Sequence, residues 1–390
     1  MSEIKVNSIK GVGASTAAIT VNNSDGTCSA NITNNLSNRR LTINGAMTIS
    51  QRGTSSTSDG YLLDRFHTSA ASNDESPTYA QVDVASGTTP YSLGFRKALK
   101  ITNGNQTSGA QAGSYVTIYT PQEAQNIANS GWNYTSSSSN ITFSFWVKAS
   151  VSKTYYFYFK TPDGSAYLYP METGVLTADT WTKVTKTIPG NSNITINNDN
   201  GVGIEILIWP YIGTNYTASG VTLNTWQSYS GTARVPDDAT SWFTTNDATF
   251  EITGVQLEVS DHPTDFEHLS FADELLRCKR YYRVLQDASG GACYMGVVGY
   301  NYDVNSVTIQ VNFEQEMRAT PTLDNTSGTN YYRYYRNSGY VDINAFNAIN
   351  GMTKYGGAFN NSDSGNGTAG QAGAVVLNNT AAKLAFDAEL

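Results

Sequence analysis

Residues 249–282 read TFEITGVQLEVSDHPTDFEHLSFADELLRCKRYY, and this stretch limits the fold more than any other. Phe250, Ile252, Val255 and Leu257 recur in alternation around Gly254, the pattern of a strand with a bulge or kink. The connector 260–265 is rich in turn formers and contains Pro263, so the strand stops there. Ser270 then opens a short helix, with Asp273 and Glu274 in its first turn and Arg277, Lys279 and Arg280 at its end. That order meets the cap and dipole preferences of a helix. One strand therefore closes a large β domain, a turn leaves it, and a helical peg leads into a second β-rich region.

The rest of the chain reads as strands at the spacing of an all-β sandwich. Before the peg they fall at 61–68, 78–84, 97–102, 114–119, 141–149, 154–161, 181–188, 203–211 and 250–258, with a short surface helix at 121–128. Asn44-Gly45 lies between two β-compatible runs and predicts a hairpin turn. After the peg, strands fall at 292–300, 306–313, 329–335 and 375–386, with Gly-rich loops at 351–357 and 362–373. Only 14% of residues are charged and 25 are Tyr, a balance that favours strands and turns over helices.

The net charge of −8 argues against a surface that tracks nucleic-acid phosphates. No run approaches the ~18 apolar residues of a membrane span, so no membrane insertion is expected. Residues 1–13 lack the apolar core of a signal peptide. Cys28, Cys278 and Cys293 have neither zinc-site spacing nor the look of a disulfide scaffold, and Cys278 on the peg is expected to be a buried thiol. The short polar pieces before residue 38 bury too little surface alone. They form either a flexible arm or a segment that orders against other copies or a partner.

The candidate chemistry is aromatic. In 155–159, Phe157 and Phe159 share one face while Tyr156 and Tyr158 take the other, and Tyr167 and Tyr169 repeat that outward spacing. With Ile204, Ile206 and Ile208 facing inward, Leu207, Trp209 and Tyr211 face out; the following loop adds Tyr216, Trp226 and Tyr229. Sugars stack their C–H faces on such rings. The carbohydrate-binding candidates are therefore Tyr156, Tyr158, Tyr167, Tyr169, Trp209, Tyr211, Trp226 and Tyr229. The alternative is that these rings pack between sheets, under loops or against a neighbouring subunit. A second candidate is Tyr331, Tyr332, Arg333, Tyr334, Tyr335 and Arg336, a run suited to an interface or receptor contact, or else to a solvent-lapped strand with Tyr–Arg stacking. Asp64 and Arg65 read as an ion pair or as strand-end hydrogen bonds. Glu205, Glu258 and Asp83 all lie on strands, within reach of one another in a folded sandwich. Yet no glycanase carboxylate motif or nucleophile elbow accompanies them or His67, His262 and His268, so no enzyme is expected.

The stretch TGVQLEVSDHPTDFEHLSFADELLRCKRYY resembles the signature of bacteriophage tail-fibre and related virion proteins, in which a jelly roll ends in a TGVQLE strand and a helix follows. NRRLTINGAMTISQRGTSSTSDGYLLDRF (38–66) resembles the motif that opens that domain, and 316–322 and 385–390 resemble the family's C-terminal domains. The resemblance implies an attachment or oligomerisation arm at 1–50 and a jelly-roll domain like a carbohydrate-binding module at 51–265. A linking helix at 266–286 and a C-terminal β-sandwich domain at 287–390, a candidate receptor-binding tip, complete the organisation. It implies a homotrimeric tail fibre that attaches the particle to a host surface glycan without catalysis, bound to other tail or virion proteins through 1–50. Such a protein resides in the virion and assembles in the host cytoplasm. The alternatives are a capsid-anchored head fibre or decoration protein, and a glycan hydrolase. Related sugar-binding jelly rolls can hold a structural calcium, for which Asp64 and Glu258 are the candidates; no other cofactor is implied.

Overall fold

Alternation in the sequence becomes facing sheets. The structure, a computed structural model, describes residues 6–10, 12, 19–21, 24, 28–30, 39–362 and 367–390. The first strands, β1 (Ser8–Ile9), β2 (Ile19–Val21) and β3 (Cys28–Ala30), form a small antiparallel sheet. Half of the arm expected at 1–50 lies outside the described residues.

The next strands are β4 (Ser55–Ser56), β5 (Gly60–Leu63), β6 (Phe66–Ala71), β7 (Thr78–Asp83), β8 (Lys97–Thr102) and β9 (Tyr115–Glu123). They continue as β10 (Asn140–Ala149), β11 (Thr154–Thr161), β12 (Tyr167–Val175), β13 (Thr182–Pro189), β14 (Val202–Ile212), β15 (Gln227–Ser228) and β16 (Thr249–Glu258). They build a jelly-roll β-sandwich of two antiparallel sheets, ordered β13-β10-β16-β8-β7-β4 and β15-β12-β11-β14-β9-β6-β5. Between the sheets, Phe143 and Phe145 of β10 meet Phe157 and Phe159 of β11 with centroids 5.2, 5.3 and 6.0 Å apart. All four rings are fully buried, and each contributes about 1.5–3 kcal/mol of transfer free energy.

Four local expectations are corrected. Residues 41–49 form a buried, turn-rich loop and no hairpin, because Asn44 turns inward: its side chain donates to the Ile49 and Asp64 carbonyls and accepts from the Ile49 amide. Gly45 is required there, since a Cβ would lie 2.0 Å from the Val255 carbonyl oxygen. The 61–68 strand is split into β5 and β6 by a turn in which Arg65 has φ 71°. The 121–128 helix shrinks to Ala124–Ala128, because Gln122 and Glu123 stay paired with β14. Residues 167–175, not foreseen as a strand, pair along β11; Pro170 is tolerated because β15 reaches only Tyr167 and Leu168.

The peg forms as read: Ser270 caps the helix Phe271–Lys279, its side chain accepting from the Asp273 amide at 3.2 Å. Cys278 is buried, which raises its thiol pKa well above the usual value. Beyond it come β17 (Tyr282–Asp287), β18 (Cys293–Asn301), β19 (Val307–Asn312), β20 (Thr322–Asn325) and β21 (Tyr332–Arg336). The chain ends with β22 (Gly339–Ile343), β23 (Ala348–Thr353), β24 (Gly356–Asn361), β25 (Ala372–Leu377) and β26 (Lys383–Asp387). They form two sheets, β17-β26-β20 and β22-β21-β25-β18-β19-β24-β23, over a second core that includes Tyr332, Tyr334, Phe346, Phe359 and Phe386. The single strand read at 375–386 is thus two, one in each sheet. The Gly-rich loop 351–357 is the turn of the β23–β24 hairpin.

Two buried carboxyls set an acid response. Burial raises Asp64 to about 6 against the hydrogen bond from Gln51, and raises Asp238 to about 6 against its ion pair with Lys153. A carboxyl whose folded pKa lies above its unfolded value gives stability that is full below the unfolded value and lost as pH rises through the folded one. Each group should therefore add about 1 kcal/mol as pH falls from ~7 to ~5. Over that interval the calorimetric Tm of the wild type should rise relative to that of an Asp64→Asn, Asp238→Asn double variant, since His67, held below its ordinary pKa, opposes the gain equally in both. Parallel Tm curves for the two proteins would contradict this.

Candidate functional site

The outer face of the seven-stranded jelly-roll sheet is set by the residues that alternate with the core. On β9, Tyr115, Thr117 and Tyr119 alternate with the fully buried Val116 and Ile118; on β14, Leu207 and Trp209 alternate with Ile206 and Ile208. On β6, His67 and Ser69 take the same side, because the register places His67 opposite Tyr119 and Ser69 opposite Thr117. Leu207 in turn lies opposite Tyr119. These neighbours make a continuous strip across three strands.

The segment after β14 folds back over one end of this strip. Thr217 bridges to Val235, the Arg234 amide donates to the Tyr216 carbonyl at 2.8 Å, and Lys153 Nζ holds Asp238 at 2.6 Å. Val235 is fully buried against an outer cluster that includes Tyr158, Leu168 and Trp209. The fold-back brings Tyr216 and Arg234 to the wall of a groove of about 350 Å³ floored by the strip.

Tyr115 meets Trp209 edge-on at 5.7 Å and Tyr216 edge-on at 5.8 Å. The Arg234 guanidinium lies 4.7 Å from the Tyr216 ring centre, and its Nε donates to the Gly231 carbonyl at 3.1 Å. Trp209 is 2% exposed, and its buried Nε1–H has no hydrogen-bond partner within the protein. Burial holds the His67 imidazole below its ordinary pKa, so it is neutral at neutral pH. Burial also raises Tyr119, keeping its hydroxyl protonated as a donor. Aromatic walls and hydroxyls suit a ligand with apolar faces and hydroxyl edges.

The aromatic residues singled out from the sequence divide in three. Trp209 lines the groove. Tyr156, Tyr158 and Tyr229 lie on the same outer face, but Tyr158 is buried beneath the fold-back, and Tyr229 packs by the Lys160 ammonium at 4.8 Å. Tyr169, Tyr211 and Trp226 belong to the inter-sheet core, with Tyr167 packed against it, which corrects the outward placement. Tyr169 lies opposite Phe159 and Tyr167 opposite Thr161, so both share the inward side of β11. Tyr211 is turned inward by a register shift between Ile208 and Tyr211 and stacks on Phe243 at 4.8 Å. Trp226 packs on Tyr169 at 5.1 Å and donates to the Pro189 carbonyl. The residues missed were Tyr115, Thr117 and Tyr119, whose alternation along 115–119 was a usable signal, and Arg234, whose position depends on the fold-back.

In the C-terminal domain the Tyr–Arg run is split by its pleat. Tyr332 and Tyr334 are fully buried and Tyr331 packs against the same core, while Arg333 and Tyr335 lie on the other side. Arg333 pairs with Asp342 at 2.6 Å and stacks on Tyr340 at 3.9 Å. Tyr335 stacks on Tyr294 at 6.1 Å, and Arg336 donates to Asn301 at 3.0 Å.

Asp64 and Glu258 do not form one site. Asp64 accepts from Gln51 Nε2 at 2.6 Å, whereas Glu258 accepts from the Thr264 amide and hydroxyl at 2.9 and 2.6 Å. Among the described residues no group of three or more His, Cys, Asp or Glu is placed to hold a metal. Glu205 pairs with Lys160 on the outer face and Asp83 with Lys97 at an exposed strand end, each carboxylate thus engaged separately. Asp64 and Arg65 do not pair with each other; Arg65 reaches Glu389. A cavity of about 540 Å³ lies where the peg meets both domains, but its Arg40 and Arg280 are already ion-paired to Glu274 and Glu123.

No family model matches the chain, and no curated protein matches it. Among solved structures it is similar to the enzymatically active domain of bacteriophage CBA120 tailspike protein 4, at 9% identity and TM-score 0.31, over 56% of this chain and 21% of that one. A putative sugar-binding protein from Bacteroides thetaiotaomicron aligns at 10% identity and TM-score 0.31, over 57% of this chain and 100% of that one. The N-terminal cellulose-binding domain of Cellulomonas fimi β-1,4-glucanase C aligns at 13% identity and TM-score 0.27, over 54% and 97% respectively. At these values the likenesses decide nothing about function, and the jelly-roll assignment stands on the sheet order alone.

Proposed function

We propose that this chain is a non-catalytic virion protein of the bacteriophage tail-fibre type, which attaches the particle to a bacterial surface glycan through the groove of its jelly roll. The observation that carries the glycan reading is the groove itself, lined by the Tyr115, Trp209 and Tyr216 rings beside the Thr117 and Tyr119 side chains. The virion reading draws on the resemblance of residues 38–66 and 253–282. In support, Asn44 of the first motif donates its amide to Glu274 of the second, 230 residues away. On this reading residues 1–50 bind other virion components, 51–265 hold the glycan site, and 266–286 link to a C-terminal domain at 287–390. The protein assembles as a homotrimer in which the exposed Tyr294 and Tyr340, 65% and 57% accessible, face another copy.

Two measurements on the full chain test it. Calorimetric titration with solubilised bacterial surface polysaccharides should find a binder that is not shortened by the protein. Tyr115→Ala and Tyr216→Ala should each weaken it about tenfold, the loss of one stacking contact. Light scattering across a dilution series should give the mass of three chains. Failure to bind any polysaccharide would remove the glycan reading, and a monomer at every concentration would remove the self-trimerising fibre.

A further inference from the structure

We propose that the saccharide recognised by the groove carries a carboxylate, as a uronic acid does, and that Arg234 selects it; this rests on the reading of the groove as a glycan site. The argument is a census of charge. Among the described residues no carboxylate lines the groove, His67 is neutral at neutral pH, and Arg234 is the one formal charge in the lining. The acidic groups nearby are committed elsewhere. Glu205 holds Lys160 at 2.9 Å, Asp237 accepts from the Thr217 hydroxyl at 2.8 Å, and Asp238 holds Lys153 at 2.6 Å.

Arg234 is therefore a half-buried guanidinium without an ion-pair partner, in a chain with 32 acidic and 24 basic residues. Arg40, Arg65, Arg280 and Arg333 each contact a carboxylate directly, whereas Arg277 and Arg318, also half-buried, donate to backbone carbonyls; Arg234 differs from these two in facing a groove. The side chain is also preset. Its Nε is fixed on the Gly231 carbonyl, its guanidinium lies 4.7 Å from the Tyr216 ring centre, and it also hydrogen-bonds the Tyr158 side chain, so its position is set before a ligand arrives. The N–H groups of the guanidinium that remain can donate charge-assisted hydrogen bonds to a carboxylate. A neutral sugar entering the groove would strip water from Arg234 without replacing it by a counter-charge, whereas a uronic acid supplies one.

The test compares acidic bacterial polysaccharides with the same polymers after carboxyl reduction, arrayed and titrated against the full chain. An acidic member should bind, and its reduced form should bind at least tenfold more weakly. Arg234→Gln should lower affinity for the acidic form to that for the reduced one, while Tyr115→Ala should weaken both alike. Arg234→Lys, which keeps the charge and loses the guanidinium, should retain part of the discrimination. Circular dichroism and melting of each variant separate loss of fold from loss of binding. If the reduced polymers bind as well as the acidic ones, or Arg234→Gln keeps the preference, the carboxylate assignment fails and the glycan site stands. If neither form of any polymer binds, both fail.

Discussion

Glu274→Ala is expected to destabilise the protein by about 3–5 kcal/mol, the cost of leaving one partner of a buried ion pair uncompensated. Arg40 is wholly inaccessible to solvent, and the Glu274 side chain is 5% exposed. One Glu274 oxygen accepts from Arg40 and the other from the Asn44 amide at 2.6 Å. The Arg40 guanidinium otherwise has only the Thr42 and Glu267 carbonyls, at 2.9 and 3.3 Å, and the Phe266 ring at 5.1 Å. Alanine would leave a buried cation without its anion and a buried amide without its acceptor. Urea unfolding followed by tryptophan fluorescence measures the effect. An Arg40→Met, Glu274→Leu double variant should recover most of the loss, since it removes both charges at once. A loss below ~1 kcal/mol in Glu274→Ala would mean that water reaches the pair and that the peg is not locked by it.

That lock explains which parts of the fold could be read from sequence. The peg was legible because its signals are local: Ser270 caps, Asp273 and Glu274 follow, and the cations come last. The core was legible wherever period-two alternation ran without interruption, as in Phe143, Phe145, Phe157 and Phe159. Alternation failed where the pleat was broken or the neighbour was unknown. Tyr211 changed sides at an irregularity that nothing before Pro210 announces. Tyr169 was placed by its spacing from Tyr167, whereas its side is dictated by Phe159 across the ladder. Asn44-Gly45 has the composition of a hairpin turn, but the Asn44 side chain found partners at Ile49 and Asp64, and Gly45 was needed for close approach to β16. The groove was half legible: Trp209 was identified, and the Tyr115–Tyr119 alternation was available. Arg234 reaches the site through the fold-back, held by the Thr217–Val235 bridge, the Arg234 amide on the Tyr216 carbonyl and Lys153 on Asp238, contacts with no trace in local pattern.

Glu389→Ala should show a second effect of similar size at the other junction. Arg65, 2% exposed, lies 3.7 Å from the Tyr281 ring centre, donates to the Pro121 carbonyl and ion-pairs with Glu389. Glu389 also meets Arg52 at 3.3 Å, and Arg52 stacks 3.5 Å from the Tyr282 ring centre. Burial works to lower the Arg65 pKa, and the charge and hydrogen bond of Glu389 together with Tyr281 and Tyr61 outweigh it, so this guanidinium stays charged with Glu389 as its foremost partner. Removing Glu389 is expected to cost about 3–5 kcal/mol by equilibrium unfolding. A cycle with Arg65→Met should give a coupling of more than ~1 kcal/mol, because the residues are in direct contact. The loss should fall on the joint more than on either core. Arg65 belongs to the jelly roll and Glu389 follows β26, while Phe143 and Phe386 sit in separate hydrophobic clusters. Calorimetry of Glu389→Ala should therefore resolve two transitions, with each core melting by itself. A single transition displaced to lower temperature would instead show that the two β units unfold together and that the boundary near residue 287 is not a thermodynamic one.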